Sequence, residues 1–315
     1  MEDILNILRP VKFDDSLAHY EIHSHQPYNS SAFNNSDEIR IPVQNQDQYI
    51  LPSKSTLHVT GRLVKANNTN VTNTKLISNS VSFLFIEIRH ELSGVEIDPC
   101  KNVGLTTTMK AYVSHTPNQL IYAENAGYLE FDDDLRITNE NGYFDVNIPL
   151  NMIFGFAEDY RKIVVNAKHE LILTISRTDL NTIVDITATE EHEQFKIIIN
   201  KVEWLIPYIF LGDRQKIELL KFIEKDPLIS MSFRSWDMYG YPLLPTTQKH
   251  VWTVKTSTQV EKPRYVILGL QINRKDHPGR YANIFDSYNT AAYCLIIHDR
   301  IIQYTPISNV VKKVS

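Results

Sequence analysis

The 315-residue chain is 43% hydrophobic and 22% charged, and its 32 Lys+Arg against 37 Asp+Glu leave a net charge of -5. This balance excludes a disordered chain, which could not bury enough apolar surface, and a body made basic all over to grip nucleic acid. Two cysteines, Cys100 and Cys294, exclude a disulfide framework and a Cys-rich zinc site.

The chain opens on Met1-Glu2-Asp3-Ile4-Leu5, which is acidic and lacks the apolar run of a secretory signal. No stretch approaches 18 consecutive apolar residues, so no membrane span is expected. The expected compartment is intracellular, or a particle assembled inside a cell. Residues 1–55 are Asn/Ser/Gln-rich, as in Tyr28-Asn29-Ser30-Ser31-Ala32-Phe33-Asn34-Asn35-Ser36, and predict a polar arm with little regular structure. Within it, Ile4, Leu5, Ile7 and Leu8 read either as one amphipathic turn docking on a neighbour or as a frayed end. The Asn-x-Ser/Thr triplets at Asn29, Asn34, Asn67 and Asn70 read as loop composition.

From residue 56 the dominant period is two. Leu57, Val59 and Leu63 alternate with His58, Thr60 and Arg62. Successive strand side chains point to opposite faces, so one face of such a strand lies in a core. Segment 163–176 repeats the pattern, with His169 on its apolar face and read there as a core or rim histidine. Further strands are predicted at 81–89, 106–113, 144–150, 183–189, 195–206, 229–235, 249–257, 264–272 and 291–303, all rich in Val, Ile, Thr, Tyr and Phe. Segment 81–89 is apolar on both faces and is expected centrally, covered on both sides. Turns are predicted at 66–70, Asp98-Pro99, Asn139-Glu140-Asn141-Gly142 and 275–279. Helices are predicted at Asp213–Lys225, capped by Asp213, and at 154–162. Many short strands between turns give an all-β sandwich or barrel. The expected division is an arm at 1–55, a first β unit at 56–205, a linker with a short helix at 206–227 and a second β unit at 228–315.

The search for chemistry is mostly negative. Gly-rich phosphate loops, a Walker motif and a nucleophile elbow are all missing. His90-Glu91 and His169-Glu170 begin like a zinc-protease motif, but Gly94 and Leu173 stand where its second histidine belongs. His23-Ser24-His25 resembles the HxH pair of cupin metal sites. Tyr28 and Asn29 replace the carboxylate that should follow, and the pair is read as exposed in the arm. Glu130 with Asp132-Asp133-Asp134 lacks calcium-loop spacing and reads as a solvated loop, and Glu190-Glu191-His192-Glu193 reads as a charged turn. The aromatic run Ser235-Trp236-Asp237-Met238-Tyr239-Gly240-Tyr241-Pro242 reads equally as an interface core or as internal packing. Basic residues do not interleave with it, so a base-stacking platform is not supported. No catalytic, cofactor-binding or metal-ligating residue is assigned.

The run Ile148-Pro149-Leu150-Asn151-Met152-Ile153-Phe154-Gly155-Phe156-Ala157-Glu158-Asp159-Tyr160-Arg161-Lys162-Ile163 is the most specific stretch of the chain. With Asn166-Ala167-Lys168-His169-Glu170, Arg177-Thr178-Asp179, Trp204-Leu205-Ile206-Pro207 and Lys262-Pro263-Arg264-Tyr265, it resembles the double-jelly-roll capsid-like proteins of invertebrate genomes. That family is similar to the major capsid proteins of Polinton/Maverick and adintovirus-like elements. The resemblance covers about residues 50–285. It implies an all-β fold of two tandem jelly rolls with one or two short helices. It further implies homotrimers forming pseudo-hexameric capsomers of an icosahedral particle, contacts with neighbouring capsomers and with a minor or penton capsid protein, and a virion location. It implies no catalytic residue, no cofactor and no strong direct binding of nucleic acid. Members usually carry further strands between 282–286 and the final strand, so a shortened second jelly roll is expected. The alternatives are a relic or domesticated jelly-roll module binding glycan or protein, and a cupin-like metalloenzyme.

Overall fold

The structure is a computed structural model that describes residues 17–28, 33–43, 49–121, 123–129, 136–165, 167–186, 192–241, 265–286, 293–297 and 300–304. Its strands in the first half are β1 (Leu17–His25), β2 (Glu38–Val43), β3 (Tyr49–Ile50), β4 (Thr56–Lys65), β5 (Thr74–Leu76), β6 (Phe85–Leu92) and β7 (Val95–Lys101). They are followed by β8 (Tyr143–Pro149), β9 (His169–Ile175), β10 (Ile183–Asp185), β11 (Phe195–Leu211), β12 (Tyr293–Ile297) and β13 (Arg300–Tyr304). The helices are α1 (Ser80–Phe83), α2 (Val103–Ser114), α3 (Pro117–Ile121), α4 (Leu150–Ile153), α5 (Gly155–Asp159) and α6 (Asp213–Ile223).

Two antiparallel sheets face one another. One has the order β1-β11-β4-β8, with β3 also on β11, and the other has the order β2-β9-β6-β7. Numbering the eight long strands by position gives 1-8-3-6 and 2-7-4-5, so every strand but one pair of neighbours crosses to the other sheet. That is the strand order of a jelly roll. The alternation read from sequence is what closes it. Leu57, Val59 and Leu63 of β4, Phe144, Val146 and Ile148 of β8, and Leu171 and Leu173 of β9 are all buried in one core with Trp204 and Ile206 of β11. Gly61 sits where Phe144 crosses: a Cβ there would lie 2.4 Å from the Phe144 ring and 2.6 Å from the Ile198 carbonyl oxygen.

Several expectations change. Leu17–His25 and Glu38–Val43, expected in a loose arm, are the first strands of the two sheets. β2 alternates Ile39, Ile41 and Val43 inward, and β1 is templated by β11 from Leu17 opposite Leu211 to His25 opposite Trp204. For the same reason β11 runs past the expected end at 206: its second half is paired by β1 and β3. The predicted strand 106–113 is helix α2. Thr107 and Thr108 donate their hydroxyls to the Val103 and Gly104 carbonyls, so the β-branched run is absorbed within the helix. Asn79 bonds the Gly104 carbonyl and both threonine hydroxyls from the neighbouring turn. Segment 81–89 splits into α1 and β6. β6 is an inner strand, but Ile86 is 46% exposed, so its second face is not covered.

Asp98-Pro99 lies inside β7 rather than in a turn, because the reversal is made at Ser93 and Gly94, both at positive φ. The stretch 163–176 becomes a strand from His169, with an isolated bridge at Val164; of 183–189, Ile183–Asp185 is a strand and 187–189 lie outside the described residues. Gly212, not Asp213, is the N-cap of α6, and the helix expected at 154–162 is the shorter α5, with α4 just before it. Residues 229–235 and 265–272 have no regular secondary structure, and among the described residues no strand pairs with them. Segment 291–303 is the hairpin β12–β13, and 249–257 lies outside the described residues.

Candidate functional site

His23 and His25 lie on β1, not in a loose arm, and are half-buried. His23 packs on the Tyr208 ring at 4.2 Å and contacts Glu21, and His25 Nε2 lies 3.0 Å from the Tyr208 hydroxyl. Among the described residues no three His, Cys, Asp or Glu side chains converge as a metal site. Glu130, Asp132, Asp133, Asp134, Glu190 and Glu191 lie outside the described residues.

Glu193 is not a loose charged turn. Its carboxylate accepts the backbone N–H groups of Thr72, Asn73 and Thr74, the Thr74 hydroxyl and the Lys65 ammonium. Burial pushes this carboxyl up, but Lys65 and the convergent donors outweigh it and hold it down at about 2. Glu203 makes a second such hub on the face of β11 opposite Trp204. It is 4% exposed and accepts from Ser24, Gln26 and Lys201, with His58 Nδ1 at 3.2 Å. Here too burial raises the carboxyl, and Lys201 with the other donors brings it to about 2. Glu203 fastens the end of β1 to the sheet. Neither carboxylate was singled out by sequence in this role, since all its partners except Lys201 beside Glu203 come from 119 to 179 residues away.

The third constellation is the groove-like seat that α2 and α5 offer to residues 231–238. These residues have no regular secondary structure and cross the two helices as a strap. The Arg234 guanidinium donates to both Asp159 oxygens at 2.8 and 2.6 Å and to Glu158, and its backbone N–H also donates to Asp159. This forked bonding holds the Asp159 carboxyl below its usual value. Phe233 packs edge-on against Phe156 at 5.2 Å, Lys110 lies over the Trp236 ring, and Thr106 donates to the Met238 sulfur. The Arg234 carbonyl lies so close to Gly155 that a Cβ there would be 1.6 Å from it. The aromatic run 235–242 thus divides: Trp236 and Met238 face the groove, Tyr239 and Tyr241 are exposed, and Pro242 lies outside the described residues.

Beneath this groove the core holds three ionisable side chains. His169 is buried as the sequence implied, but only half satisfied: Nδ1 meets His90 Nε2 at 3.1 Å and Nε2 has no partner. Asp98 stands across from His90 between β7 and β6 and accepts the Phe156 N–H at 2.8 Å. Elsewhere, an open depression of about 490 Å3 between β4, β8 and β11 is lined by Thr60, Gly61, Ile137, Asn139, Tyr143, Phe144, Asp145 and Asn200, with no histidine or cysteine.

An eight-stranded jelly roll whose polar hubs clamp its own strands belongs to the class of β-sandwich scaffolds. The profile of the double jelly roll-like domain family matches residues 74–289, and the chain belongs to that family. No curated protein matches the chain in sequence. Among solved structures, it is similar to the Faustovirus major capsid protein (10% identity, TM-score 0.46, covering 70% of this chain and 59% of that one). It is also similar to the Sputnik virophage structure (8%, 0.47, 66% and 51%) and to the mavirus major capsid protein (12%, 0.43, 66% and 49%). The chain thus spans about half the length of the structures it matches. No helix among the described residues is long and apolar enough to cross a membrane.

Proposed function

We propose that the chain is a structural protein that assembles with its own copies: three chains close into a pseudo-hexameric capsomer, and capsomers tile an icosahedral particle. The observation that carries this reading is the complete 1-8-3-6 and 2-7-4-5 sandwich in a chain of the double jelly roll-like domain family. A shell unit needs a rigid body with broad side faces. Neighbours of this kind meet through interfaces of about 1,600 Å2, and a threefold ring is a closed head-to-tail arrangement. In this reading the source is a Polinton/Maverick or adintovirus-like element, and the protein resides in the virion. A minor or penton capsid protein is its second partner, and residues 228–315 belong to a second, shortened jelly roll. No catalysis and no cofactor enter the proposal.

Sedimentation velocity of the purified chain tests it, with electron microscopy of the assembled fraction. The expected species is a trimer of the 36.4 kDa chain that builds larger shells. A monomer at every concentration, salt and pH tried would overturn the reading.

A further inference from the structure

The strap at 231–238 and the ionisable core cluster share one element, α5. We propose that His90 and His169, opposed by Asp98, make the seat of this strap acid-sensitive, so that protonation of the two imidazoles in the core releases 231–238 from the sandwich. The inference concerns the described fold alone and stands apart from the assembly reading.

The geometry comes first. His90, His169 and Asp98 are 1%, 0% and 2% exposed. The two imidazoles share one hydrogen bond, so one donates and the other accepts; the accepting ring is neutral, and burial disfavours charge on the donor as well. Around them stand the rings of Phe154, Phe156 and Trp204, with centroids 5.4 to 6.0 Å from that of His90. A proton added to either histidine creates a charge among these rings, and His169 Nε2 has no acceptor to receive it. The cavity therefore opens rather than hold the charge. What opens first follows from contact: Phe156 touches His90, donates its backbone N–H to Asp98 and packs against Phe233 of the strap. Two and three residues on, Glu158 and Asp159 grip Arg234.

The other titratable or charged groups near the cluster are Lys110 from α2, Glu158 and Asp159 from α5, Glu87 from β6, Cys100 from β7, and Asp237 and Arg234 from the strap. Lys110 favours ionised Asp98 and Asp237 opposes it. Burial pushes the Cys100 thiol up to about 12, so it stays neutral. Asp159, held low by Arg234, stays ionised.

The sign follows from linkage. Burial, aided for His90 by His169, lowers His90 to about 3, and burial lowers His169 to about 4. Their contribution to the closed state is full above pH 6.5 and is lost as pH falls towards those values. Burial raises Asp98 to about 6, so it acts in the opposite sense, favouring the closed state as pH falls through 6. Two groups outweigh one. Between pH 7 and pH 5 the histidines raise the opening constant about a thousandfold and Asp98 returns about tenfold, leaving about a hundredfold.

Hydrogen exchange of the full chain at pH 7 and pH 5, corrected for the intrinsic chemical rates, reads the opening constant at the Arg234 amide and its neighbours. The expected wild-type change is about a hundredfold. Asp98→Asn keeps an acceptor for the Phe156 N–H but removes the opposing titration, so its change steepens to about a thousandfold. His90→Gln with His169→Asn keeps a neutral hydrogen bond and reverses the sign, the strap then opening less in acid. An opening constant equal at both pH values, or an Asp98→Asn slope equal to wild type, overturns the proposal, even if the double variant fails to fold.

Discussion

The sandwich over 17–211 and the strap over 231–238 hold together by different means. In the sandwich, each strand's backbone groups are paired in ladders and its inward side chains meet those of the facing sheet. The strap has no ladder. It is fixed by one guanidinium fork, two aromatic contacts, a thioether and a single close approach at Gly155. The comparison teaches that β-rich composition makes a strand only where a partner edge is within reach. It also teaches that a segment held by side chains can be released without unfolding what it sits on.

The widest separation between the two comes from the core. Trp204→Ala empties a fully buried site between the sheets and should cost about 3–5 kcal/mol, read as a lower midpoint in urea. The loss should be global, with the strap and the strands unfolding together. If protease cuts at 226–241 well before the strands melt, the comparison is sharpened rather than broken.

Gly155→Ala should do the reverse. The new methyl collides with the Arg234 carbonyl, and relief by moving the strap should cost about 1–3 kcal/mol. Limited proteolysis should then cut within 226–241 while the far-UV spectrum of the sandwich is kept. A sheet spectrum lost together with the strap would break the distinction between the two regions.

A smaller effect belongs to Glu193→Gln, which weakens the clamp on Thr72–Thr74 and Lys65 by about 1–3 kcal/mol at pH 7. Glu193 is held down at about 2 from an ordinary 4.5, so its contribution is present above pH 4.5 and lost as pH falls towards 2. The stability gap between wild type and variant should close over that window, as followed by thermal melts. The smallest effect is expected on α6, where Leu220 is 50% exposed and no residue is buried. Leu220→Ser should shift monomer stability by less than about 0.5 kcal/mol.

Much of the architecture was legible in local pattern. β4 and β8 followed the predicted alternation closely because a strand with one face in a core writes that burial into every second residue. β2 carried the same signal in Ile39-Arg40-Ile41-Pro42-Val43, but the Asn- and Ser-rich stretch before it drew the reading towards an arm. α2 was misread because Thr106, Thr107 and Thr108 favour strands in isolation, whereas here Asn79 and the helix's own carbonyls satisfy the Thr107 and Thr108 hydroxyls and the Lys101 carbonyl accepts that of Thr106. His169 was placed correctly in the interior, yet nothing in its neighbourhood in sequence announced His90, 79 residues away.

The amino-acid order alone therefore determined that this chain is β-rich, that it folds around one-faced strands, and that its resemblance lies with double jelly rolls. Those are properties of short stretches, repeated, and short stretches suffice to encode them. Only the tertiary structure decided which strands pair, that β11 is extended by β1, and that a strap lies along α5. The same is true of the cluster of His90, His169 and Asp98 beneath it. Each of these joins residues that are distant along the chain, and their meeting is fixed by which buried faces and unpaired backbone edges can satisfy one another at once.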